Sequence, residues 1–174
     1  FHSITDGNGG LVFLKTLTAA YVSLRDGISI PPEEGVLDWH MPPDPAEWED
    51  SFLKVAGQVS MSRREENAFR IQGPREQDGF LHLTVATVSS EALRTLAKAH
   101  GVTITAFLAA VMLQAIMELR PRRSHRWAKV TIPVDLRRLF ESRTLRNFAL
   151  TVNVGVDPRL GAYSLDELCS VVQG

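Results

Sequence analysis

His2 and Asp6 stand four residues apart in FHSITDGNGG, and three glycines crowd residues 7–10 directly behind them. Residues of these types at this spacing admit three kinds of chemistry. An imidazole has an ordinary pKa of about 6.5, so His2 can take a proton from a nucleophile near neutrality while a nearby carboxylate arranges the loop. A glycine-rich turn at a helix N-terminus can also cradle phosphate, although the lysine and hydroxyl of a P-loop are missing here. Asp6 and Asn8 further match the first two alternating positions of a calcium loop. That match then breaks, with Gly10 at the third ligand position and Leu17 where the bidentate glutamate belongs. A plain structural reading competes with all three: Asp6 caps a helix, residues 7–10 form a turn, and His2 packs passively.

Whatever the chemistry, neighbouring elements must hold it. From Gly9 to about Arg25 the apolar positions Leu11, Leu14, Leu17, Tyr21 and Leu24 fit one face of a helix, with Asp6 or Asn8 as its cap and Gly27 as its stop. The following ISIPPEEGVLDWHMPPDPAEW is too rich in proline for helix or central strand, and it reads as a crossover with Trp39 and Trp48 anchoring it to the core. A short helix fits Trp48 to Ala56, and QGPREQDG reads as a turn. FLHLTVATV (80–88) alternates apolar Leu81, Leu83 and Val85 with His82, Thr84 and Ala86, which predicts a strand. SSEALRTLAKAHG predicts a helix with a serine cap, Leu93, Leu96 and Ala97 inward, and Gly101 as its end.

TAFLAAVMLQAIMEL predicts a central helix that is nearly apolar all round. Its expected buried stripe is Phe107, Leu108, Val111, Met112, Ala115, Ile116 and Leu119, widened by Leu113 and Met117. WAKVTIPVDLR alternates as a strand, with Val130, Ile132, Val134 and Leu136 on one side and Lys129, Thr131, Asp135 and Arg137 on the other. FALTVNVGV alternates again and puts Thr151 and Asn153 on its polar face, where they either line a channel or meet solvent. SLDELCSVVQ is a helix with a Ser164–Glu167 capping box. The fold class expected is α/β, a mixed β-sheet with helices packed on it.

Composition narrows the classes. At 44% hydrophobic and 22% charged residues the chain is globular rather than disordered, and its net charge of -1 gives no bulk pull toward nucleic acid or anionic membrane. Neither partner is expected, and no apolar run reaches the length of a membrane span. With Cys169 as its single cysteine the chain can form no internal disulfide; a cytoplasmic location and a buried, inert thiol follow as expectations. The histidines His40, His82, His100 and His125 lack metal-ligand spacing, so no metal is expected. RPRRSHR (120–126) is the densest basic cluster, readable as a phosphate-binding patch or as a solvated loop after a helix.

HSITDG resembles the H-x-x-x-D-G signature of the chloramphenicol acetyltransferase-like acyltransferases, which include peptide-synthetase condensation domains and alcohol acetyltransferases. TITAFLAAVMLQAI and VTIPVDLRRLFESRTLRNF are similar, in the same order, to the second-lobe helix and the strand-plus-loop of the alcohol acetyltransferase and condensation branch. The resemblance implies a two-lobed fold in which His2 is the general base, Asp6 is structural and paired with Arg137, aided by Arg138, and Gly7 lets the backbone turn beneath the histidine. Many condensation domains carry two adjacent histidines; Phe1 in the first place favours the acetyltransferase branch.

The same resemblance implies an excerpt: 1–27 as the end of a first lobe, 28–79 as the proline-rich crossover, and 80–174 as the first part of a second lobe. The expected activity is acyl transfer from acyl-coenzyme A or a phosphopantetheine carrier thioester to a small alcohol or amine, with no bound cofactor. The excerpt alone is expected to be inactive and to self-associate through surface that the remainder of the protein would cover. A non-catalytic condensation-like docking module is the alternative.

Overall fold

Asp6 starts the first helix by accepting the backbone N–H groups of Asn8 and Gly9, each at 3.1 Å. Helix α1 then runs Gly7–Asp26 and stops at Gly27, whose φ of 67° is a left-handed cap open to glycine without strain. The computed structural model describes residues 2–55, 57, 65–74 and 76–174. Among them the remaining helices are α2 (Ser51–Val55), α3 (Ser90–Ala99), α4 (Ile104–Leu119), α5 (Arg137–Phe140) and α6 (Leu165–Gln173). Strands β1 (Ala128–Asp135) and β2 (Ala149–Val156) pair in a two-stranded antiparallel sheet with helices packed against it, a mixed α/β architecture.

The chain divides into two compact units, Phe1–Ser62 with Pro133–Thr151 and Arg63–Ile132 with Val152–Gly174. In the first unit the core is Val55, Leu136 and Phe148, with Phe52, Val134, Phe140 and Leu150 around it. The Phe52 ring meets Phe148 edge-on at 5.1 Å. The proline-rich segment lies along α1: the Leu37 N–H donates to Thr16 Oγ1, and Lys15 Nζ to the Glu34 carbonyl, both at 2.9 Å. Trp48 does not anchor it, being 62% exposed. Nor is the apolar stripe of α1 buried; Leu11, Leu14, Leu17, Tyr21 and Leu24 are all exposed, and only Gly9 and Ala19 are covered. In place of the helix expected to start at Trp48 there is a 3-10 turn at Pro45–Glu47 followed by α2, and Ala56 lies outside the described residues.

The second unit is built around α4. Its core joins Ala97, Phe107, Ala109, Ala110 and Leu113 to Ala128, Val130 and Val156 of the strands and to Leu168 and Cys169 of α6. The buried side of α4 differs from the expected stripe: Ala106, Ala109 and Ala110 face inward, while Leu108, Val111, Met112 and Leu119 are exposed. A helix apolar all round carries no pattern that fixes its rotation, and small side chains permit the closest approach to α6 and the sheet. On α3, Ser89 caps the N-terminus and Ala97 is buried, but Leu96 is half exposed. The Ser164–Glu167 capping box opens α6, and Cys169 is a buried free thiol whose pKa burial pushes up.

The strand expected at 80–88 does not form; Leu81, Leu83 and Val85 are about four-fifths exposed. Alternation supplies two unlike faces, but a strand also needs a neighbour to take its backbone hydrogen bonds. The turn before it is present, with the Phe80 N–H donating to the Gln77 carbonyl at 3.0 Å; Arg75 lies outside the described residues.

Candidate active site

The loop that carries His2 is held by the segment Thr144–Phe148 of the same unit. Asn147 grips it twice, donating from Nδ2 to the His2 carbonyl at 3.0 Å and from its backbone N–H to the Ile4 carbonyl at 3.3 Å. Thr5 Oγ1 donates to the Leu145 carbonyl at 2.6 Å. Helix α1 approaches so closely that a Cβ on Gly9 would collide with that same carbonyl oxygen and with Thr5 Oγ1. Glycine is therefore required at 9 by crowding. Gly7, the glycine singled out by the resemblance, has open space around it and no positive φ.

At the centre is Asp6, 5% exposed, against Arg137, 8% exposed. Nη1 of Arg137 reaches Asp6 Oδ2 at 2.8 Å and Nη2 reaches Oδ1 at 3.2 Å, a bidentate fork. The Phe148 N–H adds a 2.8 Å bond to Oδ2. Arg137 also donates Nη1 to Asp135 Oδ1, Nη2 to the Arg146 carbonyl and Nε to the Thr144 carbonyl, so that five hydrogen bonds use the five N–H groups of the guanidinium. Burial pushes the Asp6 carboxyl up, but the Arg137 hydrogen bonds and the N–H groups of Phe148 and Gly9 outweigh it and hold the group below its usual range.

This wiring decides between the chemistries open to the first ten residues. Both Asp6 oxygens are committed to N–H donors, so the carboxylate is not a calcium ligand. It also sits on the N–H groups of Asn8 and Gly9 that a phosphate would need. What stays free is the His2 imidazole, which is exposed and has no hydrogen-bond partner among the described residues. General-base chemistry and the plain cap both fit; the two differ in whether that imidazole is used.

Arg137 reaches Asp6 by a different route from the one expected. It stands beyond the end of β1 as the first residue of α5 and is buried, so a helical turn aims it inward, not the polar face of a strand. Arg138 is exposed and makes no ion pair among the described residues. Thr151 is exposed; Asn153 is tied to other side chains, accepting from Thr131 Oγ1 at 2.6 Å and donating to both Glu65 oxygens at 2.8 and 2.9 Å. Asn147, Thr144 and the backbone of Phe148 were not legible as site residues, because two of them act largely through main-chain groups. Asn147 itself, in the loop between β1 and β2, is the one available signal, since a loop asparagine is suited to holding backbone.

Among the described residues no group of three or more histidine, cysteine, aspartate or glutamate side chains is arranged to hold a metal, and no single helix is long and apolar enough to cross a membrane. No protein-family model, curated protein or solved structure matches this chain.

Proposed function

We propose that this chain carries the histidine-base loop of a chloramphenicol acetyltransferase-like acyltransferase and serves acyl transfer from a thioester donor, acyl-coenzyme A or a phosphopantetheine carrier, to a small alcohol or amine. The observation that carries the reading is the free His2 imidazole on a loop braced from beneath by the buried Asp6–Arg137 fork. His2 takes the proton of the acceptor as its oxygen or nitrogen attacks the thioester carbonyl, then returns it to the departing thiolate. No covalent enzyme intermediate is involved. Asp6 and Arg137 are structural at the site, fixing where the imidazole stands.

A lone base supplies about 10²- to 10⁴-fold, so alignment of the two substrates in a channel must supply much of the rest. In the two-lobed reading that channel is shared with sequence beyond this chain. The exposed apolar side of α1 favours this, because Leu14, Leu17, Tyr21 and Leu24 form a stripe suited to a covering surface. The test is His2→Ala in a longer protein that contains this chain, read by thiol release from acetyl-coenzyme A with a panel of small alcohols and amines. Turnover should fall about 10²- to 10⁴-fold with donor binding nearly intact. The 174-residue chain alone should show no histidine-dependent release. Unchanged turnover in His2→Ala would overturn the histidine-base reading, and thiol release at the uncatalysed rate in both proteins would leave the docking-module reading, which the exposed Leu81, Leu83 and Val85 favour.

A further inference from the structure

Along α1 the large apolar side chains Leu11, Phe13, Leu14, Leu17, Tyr21 and Leu24 share one side of the helix, and each is more than half exposed. The proline-rich segment does not cover them, because it lies on the other side: its Leu37 N–H is bound to Thr16 Oγ1 and its Glu34 carbonyl to Lys15 Nζ. Together the six side chains offer on the order of 700 Å² of apolar surface. That exceeds the roughly 300–600 Å² of the largest patch on a typical monomer, and it is close to the roughly 800 Å² that each partner brings to a standard interface. Lys15 and Asp26 lie outside the stripe, and Arg25 borders its last turn, over the Tyr21 ring at 5.4 Å.

Leu14, Leu17, Tyr21 and Leu24 follow one another at intervals of three, four and three residues, the spacing that forms the seam between two paired helices. The seam is self-complementary when two copies run antiparallel about the level of Ala19. Leu14 then meets Leu24 of the second copy, and Leu17 meets its Tyr21. Antiparallel pairing also opposes the two helix dipoles and keeps like charges apart, since Arg25 comes beside Leu11 of the second copy and away from its own counterpart. A parallel pair would set Arg25 against Arg25. A lipid surface fits less well: an interfacial helix carries lysine and arginine on its polar face, and here that side is occupied by the proline-rich segment.

We infer that the stripe of α1 pairs antiparallel with the same stripe of a second copy of this chain, forming a two-fold dimer. The inference stands without the acyl-transfer reading and uses neither His2 nor the Asp6–Arg137 pair; where a longer protein lays its own sequence over α1, that sequence takes the second copy's place. The experiment is sedimentation velocity on the 174-residue chain, which should pass from monomer to dimer between about 1 and 100 μM. Leu17→Glu sets two carboxylates at the middle of the seam and should weaken dimerisation about tenfold or more, with the thermal midpoint of the monomer unchanged because Leu17 is exposed there. Leu81→Glu, equally exposed but off α1, should change dimerisation less than about twofold. Orientation is read by mixing Leu14→Cys protein with Leu24→Cys protein under mild oxidation: the mixture should form a crosslinked dimer and neither protein alone should, the native Cys169 being buried. A monomer throughout the range, a Leu17→Glu protein that dimerises like the parent, loss of the dimer in Leu81→Glu, or crosslinking of either cysteine protein with itself would overturn the inference. Should Leu17→Glu fail to fold, the cysteine mixture decides: crosslinking supports the pairing, and its absence removes it.

Discussion

Helix α1 has a carboxylate–guanidinium pair at each end, and the two ends behave differently. At its last residue Asp26 is gripped by Arg25 through bonds of 2.7 and 2.6 Å, both groups in solvent. At its start Asp6 is gripped by Arg137 through bonds of 2.8 and 3.2 Å, both groups buried. The shorter pair is the less consequential one. Water competes for Arg25 and Asp26, which are adjacent in sequence, Arg25 otherwise lying over the Tyr21 ring one turn back on the same helix, and a carboxylate at a helix C-terminus opposes the dipole. Asp6 sits at the favourable end and joins residues 131 positions apart, and removing either partner leaves an uncompensated buried charge. Burial and the number of completed hydrogen bonds set the importance of an ion pair; its length does not.

That contrast can be broken in order of expected effect. Arg137→Ala should cost about 3–5 kcal/mol in the unit that contains it, seen as loss of hydrogen-exchange protection at the Gly9 and Phe148 amides. Arg137→Lys should recover little, since an ammonium cannot reproduce a planar fork. Full protection in either variant would show that the pair is dispensable. Gly9→Ala forces a methyl group against the Leu145 carbonyl and should cost about 1–3 kcal/mol by denaturant titration, whereas Gly7→Ala, with open space around it, should be nearly neutral. The reverse ranking would mean that the first turn of α1 is seated differently.

Acid separates the two ends further. The folded-state pKa of Asp6 is depressed, so its stabilisation is present above the unfolded value near 3.8 and is lost as pH falls below that through the folded pKa. Because several other carboxylates are depressed too, the useful quantity is a difference. The gap in denaturation midpoint between the parent and Asp6→Asn should be widest above pH 4 and close below it. A gap independent of pH would remove the carboxylate from the argument. Smallest of all, Arg25→Ala should leave the thermal midpoint unchanged within error at ordinary salt.

Much of the secondary structure could be read from local pattern. The alternation in β1 and β2, the caps at Asp6, Ser89 and Ser164, and the stop at Gly27 all depend on residues a few positions apart. What failed needed information from far away. The alternation at 80–88 is as regular as that of β1, yet only β1 has a partner. The rotation of α4 is set by alanines that a hydrophobic pattern ranks below leucine and methionine. Pairing of Asp6 with Arg137 was expected from resemblance alone, and spacing could not supply it. The carbonyls of Thr144 and Arg146 that fill out the guanidinium shell belong to the main chain, which every residue type possesses.

Because residues 133–151 are folded with the N-terminal part of the chain, the six letters HSITDG do not make a portable cassette. Grafted elsewhere, or left on a polypeptide truncated before Pro133, they would retain their spelling and lose the underside that gives them shape. Engineering of this loop has to transplant a distant hairpin along with it.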